Sequence, residues 1–204
     1  MNSLPKKIIA ISASIFVLTM VYYGSYLPYE KSKSFILAMN TLRGGSVKTL
    51  DDFFKVISVP LEMKSPIGQE EIVRQFTSYI TGIIAQNNNP EIISLLIDYL
   101  NKYLEPILGR GKGLSFNQDL YLAGVLNLNA YNQTNDEKYL NNARKYFEFS
   151  YSLGPKRPQA LFGLFDICRI KQDKECVKKY GDEILKYWPN DTEVKKYYDE
   201  FLKK

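Results

Sequence analysis

From Ile8 to Tyr29 the chain carries no charged residue, and that stretch constrains everything after it. Ile8–Leu27 is mostly Ile, Val, Leu, Phe, Ala and Tyr. About twenty such residues at 1.5 Å rise match the ~30 Å hydrocarbon layer of a bilayer. A single membrane-spanning helix is therefore expected over residues 8–28, with Tyr22, Tyr23 and Tyr26 at the interface. Lys6 and Lys7 precede the run, while Glu30 partly offsets Lys31 and Lys33 after it. Excess positive charge stays inside, so residues 1–7 are expected in the cytoplasm and the remainder outside it. A cleaved signal peptide competes with this reading. The run is long for one, however, and Tyr22-Tyr23-Gly24-Ser25-Tyr26 offers no small-x-small cleavage pattern. A buried N-terminal helix of a soluble protein is the third alternative.

The second constraint is a repeat. Pro155 and Pro189 stand 34 residues apart, and at that offset Ala143 meets Val177, Tyr146 meets Tyr180, Ser150 meets Ile184 and Tyr151 meets Leu185. A helix–turn–helix unit of that period closed by proline resembles the tetratricopeptide (TPR) repeat. In one copy the pattern falls on Leu120, Ala123 and Gly124, then Ala143, Phe147, Ser150 and Pro155. In the other it falls on Leu161 and Leu164, a Gln172-Asp173 turn, then Val177, Ile184 and Pro189. Two departures stand out. Phe165 occupies a position that wants a small residue, and Gly181 one that wants an aromatic. The first copy also needs about seven extra residues, which the sequence suggests placing in its turn around Asn132–Lys138. A generic array of helical hairpins is the plainer alternative.

The resemblance implies an all-α array with a concave face that holds a protein or peptide. Matching positions give Gln118, Tyr121, Val125, Leu128 and Asn129 in the first copy, and Gln159, Phe162, Asp166, Arg169 and Ile170 in the second. Tyr121 and Phe162 coincide in the overlay, as do Gln118 and Gln159. Exposed aromatics beside amides suit peptide anchoring. The competing reading is that they fill the gap between helix pairs.

Between anchor and repeats, residues 29–113 read as a membrane-proximal helical region. Tyr29–Leu42 continues the first helix until Arg43-Gly44-Gly45-Ser46. Lys48–Val59 can be laid over a second repeat helix, with Leu50 on Ala143 and Phe54 on Phe147, or taken as a simple amphipathic helix. Gln69–Gln86 and Glu91–Leu108 carry helical apolar stripes, with Asn89 the cap and Pro90 the first turn of the second. Gly109-Arg110-Gly111-Lys112-Gly113 lacks the Walker spacing and reads as a linker. Residues 114–189 hold the two repeats. Residues 190–204 form a capping helix with Val194, Tyr197, Tyr198, Phe201 and Leu202 on one side, as a solenoid end requires.

Composition argues against chemistry. The chain has no histidine, which removes the commonest general base and zinc ligand. Its two cysteines, Cys168 and Cys176, cannot make a four-ligand metal site. They flank the Gln172-Asp173 turn, where they either pack as small apolar residues or pair in an oxidising compartment. The formal charge of +5 is too thinly spread for a nucleic-acid groove. No catalysis, cofactor or metal is expected.

A wider resemblance covers nearly the whole chain. The membrane helix, Tyr29-Glu30-Lys31, Phe53-Phe54-Lys55-Val56-Ile57-Ser58, the segment Ser65–Arg74 and the hairpins together resemble the C-terminal tail of bacterial O-antigen ligase/polymerase-type membrane proteins. It implies a non-catalytic accessory in cell-envelope glycan assembly, with a polytopic glycan-transfer protein as partner.

Overall fold

A computed structural model describes residues 3–113 and 115–203, with side chains for 6–113 and 115–201. The Met1-Asn2 start of the N-terminal tail and the Leu202 side chain lie outside that description. Every regular element among the described residues is helical: α1 (Ser3–Val21), a π-helical turn (Tyr22–Tyr26), α2 (Leu27–Arg43), α3 (Leu50–Glu62), α4 (Gln69–Ile84), α5 (Pro90–Gly109), α6 (Phe116–Thr134), α7 (Glu137–Leu153), α8 (Pro158–Ile170), α9 (Lys174–Tyr187) and α10 (Thr192–Lys203). The chain divides into two compact units, residues 1–76 and 77–204.

In the first unit, α1, the π turn and α2 form one helix. Val21, Tyr26 and Leu27 all keep right-handed helical dihedrals, and the Leu27 N–H bonds to the Tyr22 carbonyl five residues back. The π turn contains Gly24, and the Tyr22 and Tyr26 rings stack 5.6 Å apart. From Lys6 to Tyr26 every side chain is exposed; at Leu27 and Pro28 exposure drops to half-buried. One helix long and apolar enough to cross a membrane is thus present at the N-terminus. It ends at Gly44-Gly45, as the sequence indicates, Gly45 having φ +68°. Thr49 then caps α3, its hydroxyl accepting from the Asp52 N–H. α3 continues through Pro60 to Glu62, further than the sequence suggests. Ala38 and Leu42 of α2, Phe53, Ile57 and Leu61 of α3, and Ile72, Val73 and Phe76 of α4 are buried. Phe35 meets Phe76 edge-on at 5.4 Å.

In the second unit Asn89 caps α5, accepting from the Glu91 and Ile92 N–H groups, with Pro90 in the first turn. The hairpins α6–α7 and α8–α9 follow, and α10 packs on α9. The turn of the first hairpin corrects the sequence reading. It holds no insertion: α6 runs on to Thr134, Asn135 takes the left-handed conformation (φ 55°), and Asp136 caps α7 by accepting from the Lys138 N–H. The second hairpin uses the same device, with Gln172 at φ 57° and Asp173 accepting from the Cys176 N–H. The extra residues lengthen the helices instead, α6 having 19 residues against 13 in α8, and α7 having 17 against 14 in α9. An amphipathic helix gains packing with each added turn, whereas a longer loop gains only entropy cost.

The two departures from the repeat pattern explain each other. In the first hairpin the small residue is Gly124 on α6 and the large one is Phe147 on α7. A Cβ at Gly124 would lie 2.5 Å from the Phe147 ring. In the second hairpin the sizes are exchanged. Phe165 on α8 is 2% exposed, and Gly181 on α9 leaves room for Phe165 and for Tyr198 of α10. The volume required between two helices is conserved while the helix that supplies it changes, which close packing permits.

Candidate partner-binding groove

Along one side of the second unit, α6, α8 and α10 leave a depression that runs in two connected parts. The first, ≈ 310 Å³, is walled by Tyr121, Val125 and Leu128 of α6 and by Pro158, Gln159, Phe162 and Asp166 of α8, over a floor of Phe147 and Gly163. The second, ≈ 450 Å³, shares Leu128 and Asp166 and continues past Asn132, Arg169, Ile170 and Gln172 to Tyr197, Glu200 and Phe201 of α10. Eight of the ten residues selected from the sequence line this groove. Gln118 is exposed and Asn129 half-buried, and neither is among the described residues that line it.

The floor is glycine for a steric reason. Any Cβ at Gly163 would lie 2.7 Å from the Phe147 ring, so at this point the Phe147 ring can lie against the α8 backbone only because no side chain intervenes. The walls are then amphipathic by position. Tyr121, Val125, Leu128, Phe162 and Ile170 each pack one side against the buried core and leave the other open, and Tyr121 sits 6.3 Å from Phe147, ring centre to ring centre. The groove aromatics therefore serve both readings drawn from the sequence, packing between helix pairs and surface.

Electrostatics mark the junction of the two parts. Asp166 accepts from Arg169 Nη1 at 2.8 Å, one turn along α8. Burial pushes its carboxyl above the usual range, and the adjacent guanidinium only partly opposes this. Arg169 also lies 3.7 Å above the Tyr197 ring, so its cation is held between a carboxylate and an aromatic face. α10 therefore contributes wall as well as cap, a role not assigned to it from the sequence. Its apolar residues divide by angle: Val194 is 3% exposed and packs inward, while Tyr197 and Phe201 turn a side to the groove. Trp188 was also missed. Its ring lies tilted against Phe162, centres 6.0 Å apart, in a third depression that shares Pro158 and Phe162 with the first. Its signal was there to read, as the chain's only tryptophan immediately before the closing Pro189.

Two tyrosines tie the elements behind the groove. Tyr151 donates to Glu183 at 2.9 Å, and Tyr198 donates to Asp182. Burial chiefly pushes the Tyr151 phenol up to about 12, and the bond to Asp182 chiefly does the same for Tyr198. Each phenol is bound in its neutral form, so the stabilisation is complete below the ordinary value of 10.0 and is lost as pH rises toward about 12. In an ultraviolet titration both phenols should ionise late, well above the ordinary value of 10.0. Tyr151→Phe and Tyr198→Phe should each remove one group from that late step.

Cys168 and Cys176 are joined as a disulfide across the second turn, with Cα atoms 5.5 Å apart. This separation is ordinary for a bridge. Asp173 N–H also bonds to the Cys168 carbonyl at 3.0 Å, so turn and bridge hold the same hairpin end. Compared with protein-family models, with curated proteins and with solved structures, the chain matches none.

Proposed function

We propose that this protein is a membrane-anchored, TPR-like scaffold whose groove binds a protein or peptide partner outside the cytoplasm, in assembly of the cell envelope. The observation that carries the reading is the meeting of Tyr121, Val125, Leu128, Gln159, Phe162 and Asp166 in one open groove. An extended segment would lay alternate side chains between Tyr121 and Phe162, while Gln159 and Asp166 orient its backbone and donors. The α10 cap and the left-handed, Asp-capped turns recurring in both hairpins support a repeat array over an irregular bundle.

A photo-reactive residue at Gln159, in intact membranes, should give a discrete adduct that the same residue at Lys145 does not. Lys145 is exposed on α7 and does not line the groove. Phe162→Ala should reduce the adduct about tenfold, the effect of losing one aromatic anchor worth near 1.4 kcal/mol. Equal adducts at 159 and 145, or an adduct indifferent to Phe162, would remove the proposal. Mass spectrometry of the adduct tells a soluble envelope protein from a polytopic glycan-transfer protein, the partner expected if the chain is an accessory of an O-antigen ligase system.

The disulfide supports the extracytoplasmic placement, because bridges persist in oxidising compartments and are rare in reducing ones. Cells quenched with a membrane-permeant alkylating agent before lysis should yield protein with both cysteines unmodified, becoming reactive only after reduction. Full alkylation without reductant would place the second unit in the cytoplasm.

A further inference from the structure

The first unit carries a feature that the scaffold reading does not use. Lys31 is 2% exposed and lies one turn beyond Leu27, where the uncharged run gives way to a covered helix. Its ammonium donates to the Met63 carbonyl at 2.7 Å and to Gln69 Oε1. Gln69 Nε2 in turn donates to the Leu61 carbonyl at 3.2 Å. A buried ammonium is costly unless hydrogen-bonded, so this clasp fixes both ends of the Met63–Gly68 loop against the helix. Within the loop Ser65 Oγ accepts from the Ile67 N–H at 3.4 Å, and Gly68 has φ 91°. Between the clasped ends, Ile67 is left 62% exposed.

Height follows from helix geometry. If Leu27 marks the edge of the hydrocarbon, Lys31 stands about 6 Å beyond it at 1.5 Å per residue. The polar interface of a bilayer is about 5–8 Å deep on each side, so the clasp holds Met63 and Gln69 within it. The helix is continuous through this level, and side chains are already half-buried at Leu27 and Pro28, leaving no spacer between anchor and domain. Ile36 and Leu37 are also exposed, but Leu37 lies about 15 Å past Leu27, above the interface.

We infer that the Met63–Gly68 loop rests in the interfacial layer of the bilayer, with Ile67 among the upper acyl carbons and exposed Lys64 and Tyr29 at the headgroups. The unit thus has a second contact with lipid beside its anchor, which seats it flush on the membrane and limits its rotation about the helix. This rests on the anchor reading.

The test uses the full chain in phosphatidylcholine/phosphatidylglycerol proteoliposomes, with single cysteines labelled by a polarity-sensitive dye under non-reducing conditions and unsubstituted protein as blank. Nitroxide lipids quench at headgroup depth or at mid-chain. Ile67→Cys should be quenched by the shallow lipid within about twofold of Tyr26→Cys, as an interfacial group is. Asp51→Cys, at the far end of α3, should stay at background, and Phe16→Cys should be quenched by the deep lipid. Deep quenching at Phe16 with only background at Ile67 would overturn the inference and leave the anchor standing. A blue-shifted but unquenched dye at Ile67 would do so too, by showing protein rather than lipid over the loop. No quenching at Phe16 would remove the anchor reading and this inference together.

Discussion

Phe147→Ala should cost the second unit about 3–5 kcal/mol, toward the top of the range for a buried aromatic. Phe147 is fully buried, and its ring fills the space left by Gly124 on one side and Gly163 on the other. Glycines have no side chains with which to close over a cavity, so relaxation would require α6 and α8 themselves to move. Against a domain stability of about 5–15 kcal/mol, that loss is large. Trp188 is the only tryptophan, so its fluorescence during urea unfolding of the full chain in detergent reports the second unit alone. The midpoint should fall sharply for Phe147→Ala and less for Phe147→Leu. Gly163→Ala alone should cost about 1–3 kcal/mol by overpacking, and its effect should shrink in the Phe147→Leu background, since the two residues share one contact. A loss below about 1 kcal/mol for Phe147→Ala would show that the hairpins are not held together at this ring.

How far the sequence revealed this depends on what carried each signal. The apolar run, the Asn89 cap, the Gly44-Gly45 stop and the helix start at Pro90 are local. Each follows from one or two residues whose backbone preference has no competitor, and each is found where the sequence puts it. The turn of the first hairpin was misplaced because an overlay anchored on prolines charges every length difference to the loop. Asn135-Asp136 and Gln172-Asp173, 37 residues apart, carry the same turn chemistry, a left-handed residue before an acidic cap, and would have corrected it. The exchange of Gly124 and Phe147 for Phe165 and Gly181 looked like two mismatches because the conserved quantity is a sum of volumes across two helices. No single position carries it. The groove was legible in α6 and α8, where position in the repeat selects a face. It was not legible in α10, whose spacing marks Val194, Tyr197, Tyr198 and Phe201 as one stripe without saying which edge stays open. The Lys31 clasp was out of reach altogether, since it joins residues 32 and 38 positions apart with no periodicity to announce it.

Ending the chain after Pro189 should loosen its last hairpin by about 4–5 kcal/mol, and the loss should stay local. α10 buries Val194 and packs Tyr197, Tyr198 and Phe201 against the core. One fully buried side chain and three half-buried aromatics, at about 1.5–3 kcal/mol for complete burial of each, reach that sum. Removal also opens the space over Gly181 that Tyr198 fills and takes the Tyr197 face from Arg169. In a stacked array each hairpin answers to its neighbours, so damage decays with distance along the stack. Amide exchange in α9 should therefore quicken by about a thousandfold, a factor of ten for each 1.4 kcal/mol of opening free energy. α8 should follow to a smaller degree, and α6 should change least. Equal acceleration in α6 and α9 would mean that the unit opens as one cooperative body, and the reading of α6 to α10 as a stack of repeats would have to be given up in favour of a single bundle.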